Sequence, residues 1–262
     1  DVDAISFTGS VSTGRKIARA AVDNMTRIQL EMGSKNALIV LDDAEIDVAV
    51  NCAINGAYFG TGQKCTASSR LIVQAGIHDQ FVERMIAATK GLVVGNANAS
   101  DTQIGPVVDQ QQLDKNLEYL DLAVKEGASV AVGGARLSLA TEGYYMQPAL
   151  CVDTDNSMRI NREEIFGPIS SVIKVLSYEE ALATSNDSEF GLSSGIVTQS
   201  LAHATHFKRH SESGCVMVNL PTAGTDYHVP FGGRKSSSYG PREMGRYAQE
   251  FYTIVKTAYQ SA

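Results

Sequence analysis

Cys65 stands in Gly62-Gln63-Lys64-Cys65-Thr66-Ala67-Ser68-Ser69, among small and polar residues rather than in an apolar run. A thiol in such a setting suits nucleophilic attack on a carbonyl once it is deprotonated, and Lys64 adds positive charge that favours the thiolate. Gly60 and Gly62 leave room for a substrate to approach the backbone. The plainer reading is a small buried hydrophobe, the usual state of a lone cysteine. Cys52, Cys151 and Cys215 sit among Ala, Ile, Leu and Val and read as core. Glu31, in Leu30-Glu31-Met32-Gly33-Ser34-Lys35-Asn36, follows a strand-like stretch and precedes a glycine. Its carboxylate is either a general base or a solvated loop acid.

Three further groups are candidates. In Gly9-Ser10-Val11-Ser12-Thr13-Gly14 a short strand runs through small residues into a helix, which aims backbone N–H groups at an anion. The spacing is neither GxGxxG nor a P-loop, so an ordinary helix start is the alternative. Glu163-Glu164 precede Ile165-Phe166-Gly167-Pro168, which reads as one carboxylate facing a cleft, or else as a surface pair. His203, His206 and His210 share a helical spacing but bring no acidic or thiol ligand, so no metal is expected. His228 has nothing in the sequence to place it beside Cys65.

These groups need a scaffold. The 262 residues are 44% hydrophobic and 19% charged, a globular composition with ample core. No apolar run reaches the ~20 residues of a membrane span. The net charge is −7 without a basic block, which argues against a nucleic-acid partner. Four cysteines without CxxC spacing read as free thiols in a reducing compartment, the cytoplasm. The chain begins DVDAISF, without an initiator Met or a signal-like stretch, as expected of a processed chain or one cut from a longer chain.

Strand and helix patterns alternate, which predicts an α/β sheet flanked by helices. Ile5–Thr8 and Asn36–Leu41 read as strands, and Asp42-Asp43 as the cap of a following helix. Later strands are expected at Arg70–Gln74, Ser129–Val132, Met146–Val152, Ser170–Leu176, Ser193–Thr198 and Cys215–Asn219. A final strand is expected at Tyr252–Tyr259, where alternation at an exposed edge suits pairing with another subunit. The unit over Asp1–Leu30 has no earlier strand to pair with. It is expected to dock on the domain after it in the chain, or to be mobile for want of a sheet to complete.

Six segments in order resemble the aldehyde dehydrogenase superfamily: FTGSVSTG (Phe7–Gly14), LEMGSKN (Leu30–Asn36), GQKCTASSR (Gly62–Arg70), EEIFGP (Glu163–Pro168), NLPTAG (Asn219–Gly224) and PFGGRKSSSYGPRE (Pro230–Glu243). The resemblance implies roughly the C-terminal half of a family member. Residues 1–33 would be the tail of the dinucleotide-binding domain, 34–250 the catalytic domain with a largely parallel sheet, and 251–262 an oligomerisation strand. It implies Cys65 as nucleophile, Glu31 as general base, and Gly9, Ser10, Gly14, Gly33, Glu164 and Phe166 as contacts to NAD or NADP. Asn219 would be structural. The implied reaction oxidises an aldehyde through a thiohemiacetal and a thioester on Cys65, in a homodimer or homotetramer.

This sequence departs from the family pattern at Ser34 and Ser238, each standing for a glycine, and at an inserted Pro241. Together with TDYHVPFGG these resemble the α-ketoglutaric semialdehyde (2,5-dioxopentanoate) dehydrogenase branch, implying a short aldehyde with a distal carboxylate. A thiol-dependent ester hydrolase and a non-catalytic oligomeric fragment are the competing readings. The oxyanion Asn and the adenosine pocket lie upstream in the family, so the chain alone is expected to be a poor dehydrogenase.

Overall fold

The computed structural model describes residues 2–262. In chain order the elements begin β1 (Ala4–Thr8), α1 (Val11–Val22), β2 (Arg27–Glu31), β3 (Asn36–Val40), α2 (Ile46–Ala57), β4 (Ser68–Gln74), α3 (Ala75–Lys90) and α4 (Gln110–Lys125). Then come β5 (Ser129–Val132), β6 (Arg136–Leu137), β7 (Tyr145–Met146), β8 (Ala149–Thr154), α5 (Arg159–Arg162), β9 (Ile169–Val175) and α6 (Tyr178–Asn186). The last are β10 (Phe190–Gly191), β11 (Ser193–Val197), α7 (Leu201–His210), β12 (Cys215–Val218), β13 (Arg234–Lys235), β14 (Ser238–Tyr239) and α8 (Ala248–Tyr252).

A seven-stranded sheet in the order β12-β11-β3-β4-β9-β8-β5 forms the body. All its pairings are parallel except the edge pair β5–β8. Parallel strands buried on both faces read as continuous apolar runs, which is why NALIVL carries no alternation. Leu38 and Val40 pack with Ala49, Ala53, Phe81 and Met85 of α2 and α3. The alternate residues Ala37 and Ile39 face Tyr178, Ala181 and Phe207 of α6 and α7. A third cluster packs α4 against β8, with Leu113, Leu120, Ala149 and Ile169.

The second sheet has three strands, β1-β2-β14. β1 and β2 are parallel, from Ala4 opposite Arg27 to Thr8 opposite Glu31. β14 runs antiparallel to β2, with Ser238 opposite Glu31. This corrects the expectation that Asp1–Leu30 lacks a sheet to complete. The strand it pairs with comes from more than 200 residues later and spans two residues, too short for any local pattern to announce.

Two other expectations change. Asp42 and Asp43 do not cap α2, whose N-cap is Glu45 without a side-chain bond. Asp42 accepts from the Ile77 N–H, and Asp43 accepts from Thr198 Oγ1 and the Gln199 N–H, tying α3 and β11 to the end of β3. At the C-terminus, Phe251 and Tyr252 end α8, and residues 253–262 form no strand within this chain. Ile254, Val255 and Tyr259 are exposed, so nothing within the chain completes a ladder for them.

Candidate functional site

Cys65 lies on the loop between α2 and β4, and that loop is held from three sides. Asn36, the first residue of β3, donates through Nδ2 to the carbonyls of Cys65 and Ala67 at 2.8 and 2.9 Å. Its Oδ1 accepts from the Ser193 N–H at 3.0 Å, so one buried amide joins β3, β11 and the Cys65 loop. Thr222 Oγ1 donates to the Thr66 carbonyl at 2.8 Å. Gly62 has φ +63, and a Cβ there would lie 2.2 Å from the Gly167 carbonyl oxygen. Only glycine allows both that backbone and that approach.

The Cys65 thiol is half-buried and pushed up to about 11, chiefly by burial, with the Glu31 and Glu164 carboxylates adding to the rise. The backbone N–H groups of Cys65 and Thr66 act in the opposite direction. The expected activation by Lys64 is therefore not found. Its side chain folds over Gly60, where a Cβ would meet Lys64 Cε at 2.6 Å, and burial outweighs any charge it contributes. Cys52 and Cys151 are buried as core. Cys215 is only half-buried, with its thiol 3.8 Å from the Gly232 carbonyl, so it borders the cleft and is not the core residue expected.

Glu31 ends β2 with 3% of its surface exposed, which excludes a solvated loop acid. Oε2 accepts from Ser238 Oγ at 2.6 Å, and Oε1 accepts from Gln29 Nε2 at 3.3 Å. Gln29 is in turn held by Ser6 Oγ at 2.8 Å. Burial pushes the carboxyl up to about 7, helped by Glu243, while Ser238, Arg242 and Gln29 pull it back. A carboxyl that titrates near neutrality can take and return protons at physiological pH.

Of the two acids at Glu163-Glu164, only the second faces inward. Glu163 pairs with Arg159 at 2.7 Å on the surface. Glu164 Oε1 accepts from the Ser34 N–H at 3.0 Å, and burial raises its carboxyl. Gly33 is the gap this carboxylate occupies, since a Cβ there would lie 2.0 Å from Glu164 Oε2. Phe166 has φ 64, a strained backbone for an aromatic residue, and keeps its ring 36% exposed. Ser34, Gly62, Lys64, Glu164 and Phe166 line one small cavity.

Gly9, Ser10 and Gly14 form the turn into α1, and the Gly9 N–H donates to the Glu31 carbonyl at 3.0 Å. Ser10 is the N-cap, its Oγ accepting from the Thr13 N–H at 3.3 Å. A Cβ on Gly14 would lie 2.4 Å from Met32 Sδ, so this glycine lets α1 lie close on the residue after Glu31. Asn219 bonds the Thr198 N–H and carbonyl at 3.0 and 3.1 Å, a structural pairing of two loops. His228 is exposed and stacks edge-on against Tyr227. His206 and His210 stack at 3.8 Å, and Tyr178 Oη bonds His206 Nδ1. Among the described residues no group of three or more His, Cys, Asp or Glu is placed to hold a metal ion. None of their helices is long and apolar enough to cross a membrane.

Four residues of the site carry no clear signal in the sequence: Asn36, Thr222, Gln29 and Lys35. Asn36 and Lys35 lie inside LEMGSKN, but nothing in their types separates clamp from loop. Lys35 is fully buried and pushed down to about 7 by burial and the Arg70 guanidinium. Thr222 lies inside NLPTAG, but nothing in its type predicts the bond to the Cys65 loop.

The aldehyde dehydrogenase family profile matches residues 1–258. The chain is 43% identical over 260 residues to an alpha-ketoglutaric semialdehyde dehydrogenase of Bacillus subtilis, covering 98% of this chain and 53% of that relative. It is 41% identical to a betaine aldehyde dehydrogenase of Rhizobium leguminosarum, over 99% of this chain and 53% of the relative. The crystal structure of a Staphylococcus aureus betaine aldehyde dehydrogenase in complex with NAD+ superposes with a TM-score of 0.92 at 37% identity, covering 95% of this chain and 50% of that one. The chain thus spans about half the length of the curated relatives it matches. The profile match over residues 1–258, the identity to curated relatives and the shared parallel-sheet fold agree, and the chain belongs to the aldehyde dehydrogenase family.

Proposed function

We propose that this chain carries the nucleophile, Cys65, and the general base, Glu31, of an NAD(P)-dependent aldehyde dehydrogenase, of which it forms the C-terminal portion. One observation carries the reading. Glu31 is buried, titrates near 7, and lies close enough for its charge to raise the Cys65 thiol. The spans of about half the relatives' length support the partial-chain reading. So does the open groove between β1 and α1, lined by Val2, Ile5, Ile17 and Ala20. On this reading residues 1–33 close a cofactor domain and 34–250 form the catalytic one.

The residues present fit a dinucleotide. The N-terminus of α1, with Ser10 and the N–H groups after Gly9, suits a pyrophosphate. Glu164 and Phe166 form a polar and an aromatic wall beside Gly33, suited to a ribose and a planar ring. When bound, the nicotinamide supplies the hydride acceptor. Cys65 attacks the aldehyde carbon as the thiolate, its proton having passed to solvent, to give a thiohemiacetal, and the N–H groups facing its sulfur stabilise the developing oxyanion. The thioester that follows oxidation is hydrolysed by water whose proton passes to Glu31. The acid leaves and the Cys65 thiol is restored.

The α-ketoglutaric semialdehyde dehydrogenases among the relatives support a short substrate with a distal carboxylate. The exposed run at Ile254, Val255 and Tyr259 supports a homodimer or homotetramer built through this segment. Four free thiols fit a cytoplasmic setting. The test is nicotinamide reduction by the holoenzyme, with NAD and NADP, on propanal and on a five-carbon oxo-acid aldehyde. A higher kcat/KM for the oxo-acid supports the substrate reading, and equal values refute it. Thioester hydrolysis without any aldehyde oxidation would favour a thiol hydrolase instead.

A further inference from the structure

Ser238 stands where the family pattern places a glycine, and its hydroxyl lies on the carboxylate proposed as base. The contact is built from both sides. Ser238 Oγ accepts from the Gly233 N–H at 2.6 Å, so its own proton is free for Glu31 Oε2, also at 2.6 Å. The strand register fixes this geometry, since β14 pairs Ser238 directly with Glu31 across the ladder. A glycine at 238 could not make this side-chain bond. The other oxygen, Oε1, is held by Gln29, which Ser6 anchors. Arg242 donates to the Gly233 carbonyl at 2.6 Å and acts on Glu31 through its charge.

We propose that Ser238 is a positioning residue for Glu31, fixing the carboxylate in one pose through a Gly233 N–H to Ser238 hydroxyl to Glu31 relay. The inference rests on the reading of Glu31 as general base. Two consequences arise from the chemistry. A donor to the ionised form favours that form, so losing it moves the Glu31 titration upward. A pose no longer fixed slows water activation but leaves carbonyl attack and substrate binding alone. The charged and titratable groups that act on Glu31 are Glu243, Arg242 and the Cys65 and Cys215 thiols, and all remain in every Ser238 variant.

The test compares Ser238→Ala, Ser238→Thr and Glu31→Gln in the holoenzyme. Glu31 titration is read directly by carboxylate difference infrared spectroscopy, with Glu31→Gln as the blank. Acyl-enzyme hydrolysis is read after the rapid burst of reduced nicotinamide. Ser238→Ala is expected to raise the Glu31 midpoint by about one pH unit, the scale of one lost hydrogen bond to a charge. It should slow turnover about tenfold at neutral pH with kcat/KM and the burst rate unchanged, KM falling with kcat, and Ser238→Thr should restore both the titration and the turnover. An unmoved titration in Ser238→Ala overturns the inference, whatever happens to turnover. A loss that Ser238→Thr fails to restore does so as well. Full turnover in Glu31→Gln refutes the base reading instead, and leaves the infrared result to stand on its own.

Discussion

In β3, an interior strand of the large sheet, all five side chains are buried and four are apolar. In β2, at the centre of the small sheet, three of five are buried and two of those are Gln29 and Glu31. β3 gives its length to packing and presents a polar side chain only at its start, where Asn36 clamps the Cys65 loop. The small sheet puts its polar groups inside, where each needs a partner: Ser6 for Gln29, Ser238 for Glu31. The thiol is thus placed by a rigid scaffold, and the carboxylate is tuned by a polar network.

The largest expected effect is at the thiol. Cys65→Ala in the holoenzyme should lower aldehyde oxidation by at least ~10⁴-fold, as loss of a covalent nucleophile does. Retained turnover would move the nucleophile to Cys215, the other half-buried thiol. Asn36→Ala should then show what the rigid side contributes. It leaves the Cys65 carbonyl and the Ser193 N–H without their partner, at a cost of ~2–4 kcal/mol in denaturant unfolding. A loss below ~1 kcal/mol would mean that the clamp is not what holds the loop.

On the polar side the effect is pH-dependent. Glu31 has its carboxyl raised from 4.5 to about 7 in the fold. Its stabilising contribution is therefore greatest below about 4.5 and is lost as pH rises through about 7, where the buried form must ionise. Glu31→Gln should stabilise the fold by ~1–3 kcal/mol at pH 8 and change it little at pH 4. Equal effects at the two pH values would contradict the burial argument. The smallest effect should come from deleting Ile254–Ala262, which spares the Arg27 bond to the Thr253 carbonyl. Monomer stability should change by less than ~0.5 kcal/mol, while sedimentation shows a lower assembly state. An unchanged assembly state would remove the C-terminal segment from the subunit interface.

The large sheet is legible in the sequence because its strands are long, apolar and flanked by helices of clear period. NALIVL and RLIVQ could hardly be anything else. The small sheet is half legible. β1 and its turn can be read, but β14 is two residues in a Gly/Ser loop, and its partner is fixed by tertiary contact. The same limit applies at the site. Cys65 and Glu31 can be picked out by their neighbours and by the family resemblance. That Glu31 is buried, that Lys64 folds away and that Asn36 reaches two carbonyls depend on where distant segments cross. Ser238 is visible as a departure from the family pattern, but its hydrogen bond to Glu31 is not.

The central claim is that Cys65 and Glu31 act in sequence on one intermediate. Rapid-quench mass spectrometry of Glu31→Gln holoenzyme, mixed with aldehyde and oxidised nicotinamide at neutral pH, tests it most directly. The account predicts a full burst of reduced nicotinamide, an acyl adduct on Cys65 that builds to near one per active site, and hydrolysis slowed by ~10²–10⁴-fold. No adduct on Cys65, or an adduct that decays as fast as in the unsubstituted enzyme, would contradict it.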